Sequence, residues 1–319
     1  MSLITREGEG GVPRWYQAYS VAVVAIAAVL VWWGAAVTTE HVGLAVPDWP
    51  KSFGSWNPEG WMKSHPVFLE HGHRLLAGLV GLLTLGLCAG AWWGTQKTIL
   101  RRATTIAVIL VILQGVLGGV RVLRVSDHFG IAHGCLGQSF FCLLLLIALI
   151  ANGWLRRRPV VASGTASNLR RAGVALYVMI FLQLIFGAVL RHTQRFELAD
   201  HGLLLTGASW FPGFGRADLL VLFLHKWWGV TIAAFGLWLV MGVFRQVRSH
   251  PLFAAMRKLF AGAVFAQLAL GAGVILTGKS FWITNFHVIN GLLLLSSAFV
   301  LMILSWRAVP GTSPNHQQT

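Results

Sequence analysis

Residues Tyr16–Thr39 read YQAYSVAVVAIAAVLVWWGAAVTT, a run without a single charged side chain. At about 1.5 Å per residue, a helix of this length crosses the roughly 30 Å of hydrocarbon in a bilayer. Similar charge-free runs follow at Leu75–Gln96, Ala103–Val120, Phe129–Leu155, Ala172–Leu190, Trp227–Phe244, Leu259–Gly278 and Ser280–Trp306. They are continuously apolar and lack the two-residue alternation of barrel strands. The sequence therefore predicts an all-α integral membrane protein with eight transmembrane helices.

The composition agrees with that fold class, and the net charge indicates how the chain is oriented in the membrane. The chain is 56% hydrophobic and 11% charged, with a mean hydropathy of +0.68, which excludes a water-soluble fold. Its net charge of +15 would suggest nucleic acid in a soluble protein, but in a membrane protein basic residues first set orientation. With the N-terminus in the cytoplasm, the charges sum to +13 inside and +2 outside. We therefore expect both termini to lie in the cytoplasm, and we expect no nucleic-acid partner.

Internal repetition divides the chain. The segment Gln114-Gly-Val-Leu-Gly118 matches Gln267-Leu-Ala-Leu-Gly271 at an offset of 153 residues. Because four helices are an even number, both halves enter the membrane from the same side, with a symmetry axis along the membrane normal. This predicts two pseudo-twofold-related four-helix bundles, residues 1–151 and 172–319, joined by a cytoplasmic linker at residues 152–171.

Four histidines follow the repeat. His73 pairs with His225 and His133 with His287, each near the outer end of an even-numbered helix. A lone histidine at a helix end is usually a polar interfacial residue, but four in register are better explained as ligands. Zinc or copper needs further ligands, whereas a haem needs two axial nitrogens within an apolar pocket. We therefore predict that each pair holds a haem iron.

Cations near the histidines are candidates for contacts with haem propionates. Arg74 follows His73 and Lys226 follows His225, while Arg121 and Arg191 also lie at outer helix ends. The alternative is that these side chains extend to lipid headgroups. The remaining eight histidines do not follow the repeat and are expected to be ordinary polar residues: His41, His65, His71, His128, His192, His201, His250 and His316.

One carboxylate breaks the symmetry between the halves. Glu70 lies three residues before His73, on the same helical face, where the second half has Leu222. A carboxylate beside only one site suggests that this site performs chemistry and the other transfers electrons. The alternative is a glutamate placed near a helix start by the helix dipole.

Together these motifs resemble one known family. Glu70-His-Gly-His73-Arg74, the Gln-x-x-x-Gly helices and Pro47-Asp-Trp-Pro50 resemble the haem A synthases of mitochondria and bacteria. The resemblance implies oxidation of the C8 methyl of haem O to a formyl group, giving haem A for terminal oxidases. It implies that His73 and His133 flank haem O, that Glu70 is the catalytic residue, and that His225 and His287 ligate a resident haem B.

The resemblance has one departure. Many bacterial members carry a cysteine pair around the Pro-Asp-Trp-Pro stretch, and here those positions are Val46 and Ser52. The chain has three cysteines, Cys88, Cys135 and Cys142, all within the apolar runs. We therefore expect no disulfide and no electron delivery through loop thiols.

Two other functions share much of this pattern. An electron-transfer protein with two haems B would have the same ligands without modifying either haem. A transporter also commonly has internal repeats, although no helix here is visibly broken at mid-depth. Expected partners are haem O and haem A, the lipid bilayer, an unnamed electron donor, haem O synthase, oxidase assembly proteins and a second copy of the chain.

Overall fold

A computed structural model describes residues 11–162, 164–193, 202–206, 209–247 and 250–311. The described residues contain eight helices long and apolar enough to cross a membrane, which confirms the predicted fold class. Their bounds are α1 Arg14–Thr39, α2 His65–Gly94, α3 Thr98–Arg124, α4 Asp127–Ala151, α5 Thr165–Thr193, α6 Ala217–Met241, α7 Pro251–Leu276 and α8 Phe281–Trp306.

Large apolar side chains project from the outer surfaces of these helices. Leu82 on α2 and Ile112 on α3 are 67% and 61% exposed, and Trp238 on α6 is 59% exposed. A water-soluble protein does not display so much apolar surface, whereas hydrocarbon solvates it. Polar groups turn inward instead, as when the Tyr16 hydroxyl of α1 donates to the Leu87 carbonyl of α2 over 3.0 Å.

Helix α2 begins ten residues before its charge-free run. It starts at His65 rather than Leu75, so Glu70 and Arg74 lie inside the helix. One turn separates the two, and their side chains form an ion pair along the helix surface. The pairing allows a charged segment to continue the apolar helix.

The helices pack as two closed rings of four. In the first half α1 contacts α2, α2 contacts α3, α3 contacts α4, and α4 contacts α1. Helices α5 to α8 repeat this order, and α1 and α4 then pack against α5 and α8. Two four-helix bundles require this pattern of neighbours, while their pseudo-twofold relation and the proposed boundaries stay predictions.

A short parallel strand pair joins the linker to the segment after α8. Strand β1, Val160–Val161, pairs with β2, Val309–Pro310. Both strands lie on the membrane face where α4 and α8 end. Two residues per strand are too few for a sequence pattern to indicate, so the sequence analysis missed this contact.

Candidate functional site

All four predicted ligand histidines lie on one membrane face. His73, His133, His225 and His287 fall within the first nine residues of α2, α4, α6 and α8, and even-numbered helices all cross in the same direction. We call this the histidine face. In the structure the four residues thus lie at the same end of their helices, opposite the strand pair.

Each of these histidines packs against a glycine near the end of the preceding helix. A Cβ added to the glycine would lie 2.9 to 3.2 Å from a ring atom of its histidine. The pairs are Gly34 with His73, Gly118 with His133, Gly187 with His225, and Gly271 with His287. Each helical hairpin therefore reserves backbone space for one imidazole.

A glutamine one turn before the glycine supports the ligand helix. The amide Nε2 of Gln114 donates to the His133 carbonyl over 3.0 Å, and Gln183 does the same for His225 over 2.9 Å. In return His133 Nδ1 lies 3.2 Å from the Gln114 carbonyl oxygen. If Nδ1 donates there, Nε2 keeps its lone pair for a metal.

The other two hairpins vary this arrangement. Gln267 Nε2 lies 3.2 Å from Nε2 of His287, while its Oε1 accepts from Asn290. In the first hairpin the residue four positions before Gly34 is Leu30, so His73 has no such glutamine. Sequence reasoning missed Gln183, although the spacing Gln-x-x-x-Gly to Gly187 was visible and would have revealed it.

The histidines of the second half face each other. The ring centres of His225 and His287 are 6.4 Å apart with their planes at 63°. The Nδ1 atoms of both are buried without a hydrogen-bond partner. Two metal–nitrogen bonds of about 2 Å each, plus the distance from each ring centre to its nitrogen, add to roughly this separation, so the spacing of the two rings would allow one iron to be held between them.

Further buried polar groups near this pair have unmet hydrogen bonds. Trp227 Nε1, Thr284 Oγ1 and Asn285 Nδ2 have no partner, and Asn285 is fully buried. They lie within three residues of His225 or His287 along α6 and α8. Buried polar atoms nearly always have partners, so their clustering fits a polar group at this end of the bundle. None of the three follows the repeat of the histidines, so none was predicted from the sequence.

The first half receives side chains from the second. A Cβ added at Gly130 of α4 would lie 3.0 Å from Nε of Arg121 and 2.7 Å from Nδ1 of His192, so these two side chains meet there. His192 lies at the end of α5. His192 was expected from the sequence to be an ordinary polar residue, and its position depends on contact between the halves. Of the other set-aside histidines, His201 and His316 lie outside the described residues.

Arg191 connects the two halves directly. Its Nη2 donates to the Ala35 carbonyl and to the Thr39 hydroxyl of α1, each over 2.9 Å. The Thr39 hydroxyl in turn donates to Asn285 Oδ1 of α8 over 3.1 Å. Ala35 directly follows Gly34, the glycine that packs against His73, and Asn285 lies two residues before His287. Arg191 therefore lies between the two histidine pairs.

The two cations that follow the ligand histidines bind loop carbonyls. Lys226 Nζ donates to the Gly202 and Leu205 carbonyls, each over 2.8 Å. Arg74 Nη1 donates to the Asp48 and Lys51 carbonyls over 2.7 and 3.0 Å. In each half this cation therefore holds a loop on the histidine face. Contact with haem propionates stays a prediction for four cations: Arg74, Lys226, Arg121 and Arg191.

Glu70 also helps to attach the first loop to α2. Its Oε1 accepts from Arg74 Nη2 over 2.6 Å and its Oε2 from the Val46 N–H over 2.9 Å. Arg74 Nη2 also donates to the Val46 carbonyl. Glu70 as a whole residue is 4% exposed. Its carboxylate and the Arg74 guanidinium together bond to the N–H and the carbonyl of Val46.

The first loop, residues 40–64, is further ordered by Asp48. The N–H groups of Gly54 and Phe53 donate to its carboxylate over 2.8 and 2.7 Å. These bonds, with the nearby Arg74 charge, hold the pKa of Asp48 below its usual value. Ser52, in turn, lies 2.8 Å from Nδ1 of His71. The loop is thus fastened to α2 at several points.

Among the described residues no group of three or more His, Cys, Asp or Glu side chains could hold a metal ion.

Comparison with known proteins assigns the chain to a family. The profile of the cytochrome oxidase assembly protein family matches residues 17–299. This chain belongs to the haem A synthase family. It is 28% identical to the haem A synthase of Shouchella clausii over 84% of this chain and 88% of the relative. For the haem A synthase of Symbiobacterium thermophilum the identity is 30% over 66% and 74%, and for that of Geobacillus kaustophilus 25% over 89% and 90%.

Within the haem A synthase family, this chain attaches its first loop without thiols. Cys88, Cys135 and Cys142 are unpaired and lie in helices. At the two loop positions where a cysteine pair is expected, the Val46 backbone bonds to Glu70 and the Ser52 hydroxyl contacts His71. Hydrogen bonds to α2 therefore hold this loop.

Proposed function

We propose that this membrane protein is a haem A synthase, which oxidises the C8 methyl group of haem O to a formyl group. Family membership supports the reaction. The observation that carries the site is the fourfold pairing of a histidine with a glycine on one membrane face. A histidine set serving only as interfacial polar residues has no need of a reserved space in every hairpin.

In this proposal each half binds a different haem. His225 and His287 hold haem B as resident cofactor, and His73 and His133 flank haem O as substrate. A bound haem supplies one-electron redox chemistry at its iron. The protein would contribute the histidine nitrogens that hold each haem, space beside the paired glycines, and glutamines that fix the ligand helices. The lipid-facing helices would provide an apolar surrounding.

Glu70 acts beside the substrate site. It lies one turn from His73 on α2, and its carboxylate is held by Arg74 and the Val46 N–H. This arrangement favours positioning: the carboxylate fixes the loop that covers the histidine face, so that haem O is held with its C8 methyl in a constant place. Proton transfer by the same group is compatible with its location, and the Glu70→Gln and Arg74→Lys variants together separate it from positioning.

The cellular setting follows from the charge distribution and the relatives. We place the chain in the bacterial cytoplasmic membrane with both termini in the cytoplasm and the histidine face outward. Haem O synthase would supply its substrate and oxidase assembly proteins would accept its product. Self-association is a further part of this proposal.

A product assay tests the function. The chain is co-expressed with haem O synthase in a host that makes no haem A, and extracted haems are identified by chromatography and mass. We expect haem A, and none with haem O synthase alone or with the His133→Ala variant. Recovery of only haems B and O from a folded, haem-loaded protein would instead identify an electron-transfer protein.

A further inference from the structure

The membrane face that carries β1 and β2 has cations without carboxylates among the described residues. We call it the strand-pair face. The acidic residues of the described chain lie on or next to the histidine face instead: Glu40, Asp48, Glu59, Glu70, Asp127 and Asp218. Even with Glu7 and Glu9 counted from the sequence, the side of the strand-pair face has a net charge of +13. Anions that balance this charge therefore have to come from outside the protein.

Two neighbouring cations at the start of α5 differ in their contacts. The Arg170 guanidinium carbon lies 5.8 Å from the centre of the Trp306 ring, and its Nη2 donates to the Ala308 carbonyl over 3.4 Å. Arg171 is exposed, and its side chain makes no hydrogen bond or ion pair within the part of the chain that the structure describes. The N–H donors of the Arg171 guanidinium are therefore available to a group from outside.

A cavity of about 340 Å³ between α5 and α6 has Asn168 and Arg171 at its polar end. Asn168, Arg171 and Ala175 are spaced three and four residues apart, so they share one face of α5. Asn168 is exposed as well, and its side-chain amide has no partner among the described residues. Both polar side chains are thus accessible to a molecule that enters the cavity.

The other end of the cavity is apolar. Ala172 and Ala175 line it from α5, and Phe235 and Trp238 line it from α6. Trp238 is 59% exposed, so this end opens to the hydrocarbon around the helices. From Asn168 to Ala175 the cavity extends about 10 Å along α5, which is enough for the upper part of one acyl chain.

The polar end lies at the depth of lipid headgroups. Arg171 is the seventh residue of α5, and Trp238 lies three residues before the end of α6. Tryptophan concentrates at membrane–water interfaces, and an arginine near a helix end extends to the same level. A guanidinium binds a phosphate through paired hydrogen bonds, and an asparagine amide donates to the same group. The exposed Arg245, two residues beyond the cavity-lining Val243, adds positive charge at this end.

We propose that this cavity binds an anionic phospholipid, with its phosphate at Arg171 and Asn168 and one acyl chain between α5 and α6. A free phosphate or a nucleic acid would contact the cations but leave the apolar end open. A lipid without net charge would fill the apolar end but leave the Arg171 charge unbalanced. An anionic phospholipid matches both ends, and its binding is independent of the haem reaction.

A lipid held in this cavity also stabilises the second half of the protein. It contacts α5 and α6 together, and a ligand that binds the folded state raises the unfolding temperature. The unfolding temperature therefore gives a second measurement besides affinity.

Binding is measured on the whole protein in detergent by native mass spectrometry. The probes are dioleoyl phosphatidylglycerol and dioleoyl phosphatidylcholine, which have the same tails and differ in head-group charge. We expect the first phosphatidylglycerol to bind about fivefold more tightly, the effect of one basic side chain beside an anionic lipid. Arg171→Gln should abolish this preference and the rise in unfolding temperature on adding phosphatidylglycerol. Arg102→Gln removes an equal charge from an exposed position on the same face and should retain both.

A second pair of variants tests the apolar end. Ala175→Trp fills the cavity and should raise the Kd of phosphatidylglycerol about tenfold, since about two methylene groups lose their contacts. Gly262→Trp is the control, at an exposed glycine of α7 where an added Cβ would meet nothing within 4 Å, and it should leave the Kd unchanged. All variants are compared at equal helix content, measured by circular dichroism.

The inference fails on any of four results. Equal Kd values for the two lipids, or for Arg171→Gln and Arg102→Gln, would show that the charge attracts lipid without a defined site. An unchanged Kd in Ala175→Trp would place the lipid elsewhere. Displacement of phosphatidylglycerol by equimolar inorganic phosphate would make this a site for free anions, and displacement by equimolar single-stranded RNA would make it a nucleic-acid surface.

Discussion

The Glu70→Gln substitution separates the loop-holding role of the carboxylate from a direct chemical role. The Glu70 and Arg74 side chains are 5% and 16% exposed, so solvent screens their ion pair little. A hydrogen bond to a charged group contributes about 1.5 to 3 kcal/mol. Glutamine keeps the shape, loses the charge and offers one acceptor to two donors, so we expect local attachment of the first loop to weaken by about 2 to 3 kcal/mol.

Hydrogen exchange of the first loop measures that loss. Since about 1.4 kcal/mol is a factor of ten, amides around Val46 should exchange roughly 30- to 150-fold faster in Glu70→Gln than in the unchanged protein. Glu59→Gln is the matched control because Glu59 is an exposed acid of the same loop. Unchanged exchange near Val46, or an equal increase in both variants, would refute the attachment of the loop through Glu70.

A second variant distinguishes positioning from proton transfer. Arg74→Lys keeps the charge beside Glu70 but has one donor group where the guanidinium has several, so it loosens the loop while retaining the carboxylate. If Glu70 acts by positioning, both variants lose haem A formation in proportion to their faster exchange. Full haem A formation by Arg74→Lys with a loosened loop would assign Glu70 a direct role in proton transfer.

Three further substitutions test other parts of the structure. Gly187→Ala places a methyl group 3.1 Å from the His225 ring and should reduce the haem B retained on purification, measured from its absorption, whereas Gly262→Ala should not. Arg191→Gln removes bonds between the halves and should lower the unfolding temperature, and an unchanged temperature would show that this contact contributes nothing. The pKa of Asp48 is lower in the folded protein than in the unfolded chain. Its carboxylate therefore stabilises the first loop at pH values above the unfolded pKa, and this stabilisation is lost as the pH falls through the native pKa. Protease cleavage of the first loop should therefore rise on acidification, and Asp48→Asn should abolish that dependence.

Features set by the bilayer could be predicted from the sequence. The hydrocarbon core requires long uncharged runs, so the eight spans were visible directly. Helices that alternate in direction also place equivalent residues on one face, which is why His73, His133, His225 and His287 were found together. In contrast, the early start of α2 depends on an ion pair between Glu70 and Arg74 inside the helix, and a search for uncharged runs ends at such residues.

Features set by contacts between distant segments could not be predicted. His192 carries no sign in its own neighbourhood that it will lie beside His133, because that position depends on how the halves pack. The attachment of Val46 and Ser52 to α2 likewise involves backbone groups, which every residue possesses and no motif marks. Gln183 is different, since its spacing to Gly187 was available and simply not used.

The most direct test of the central claim is a pigment analysis of four single variants, His73→Ala, His133→Ala, His225→Ala and His287→Ala. Each is purified from cells that also make haem O, and its haems are extracted and quantified. We predict that the His225 and His287 variants lose haem B, whereas the His73 and His133 variants retain haem B and contain neither bound haem O nor haem A. Equal loss of haem B in all four variants, or its retention in all four, would contradict the assignment of one haem to each half.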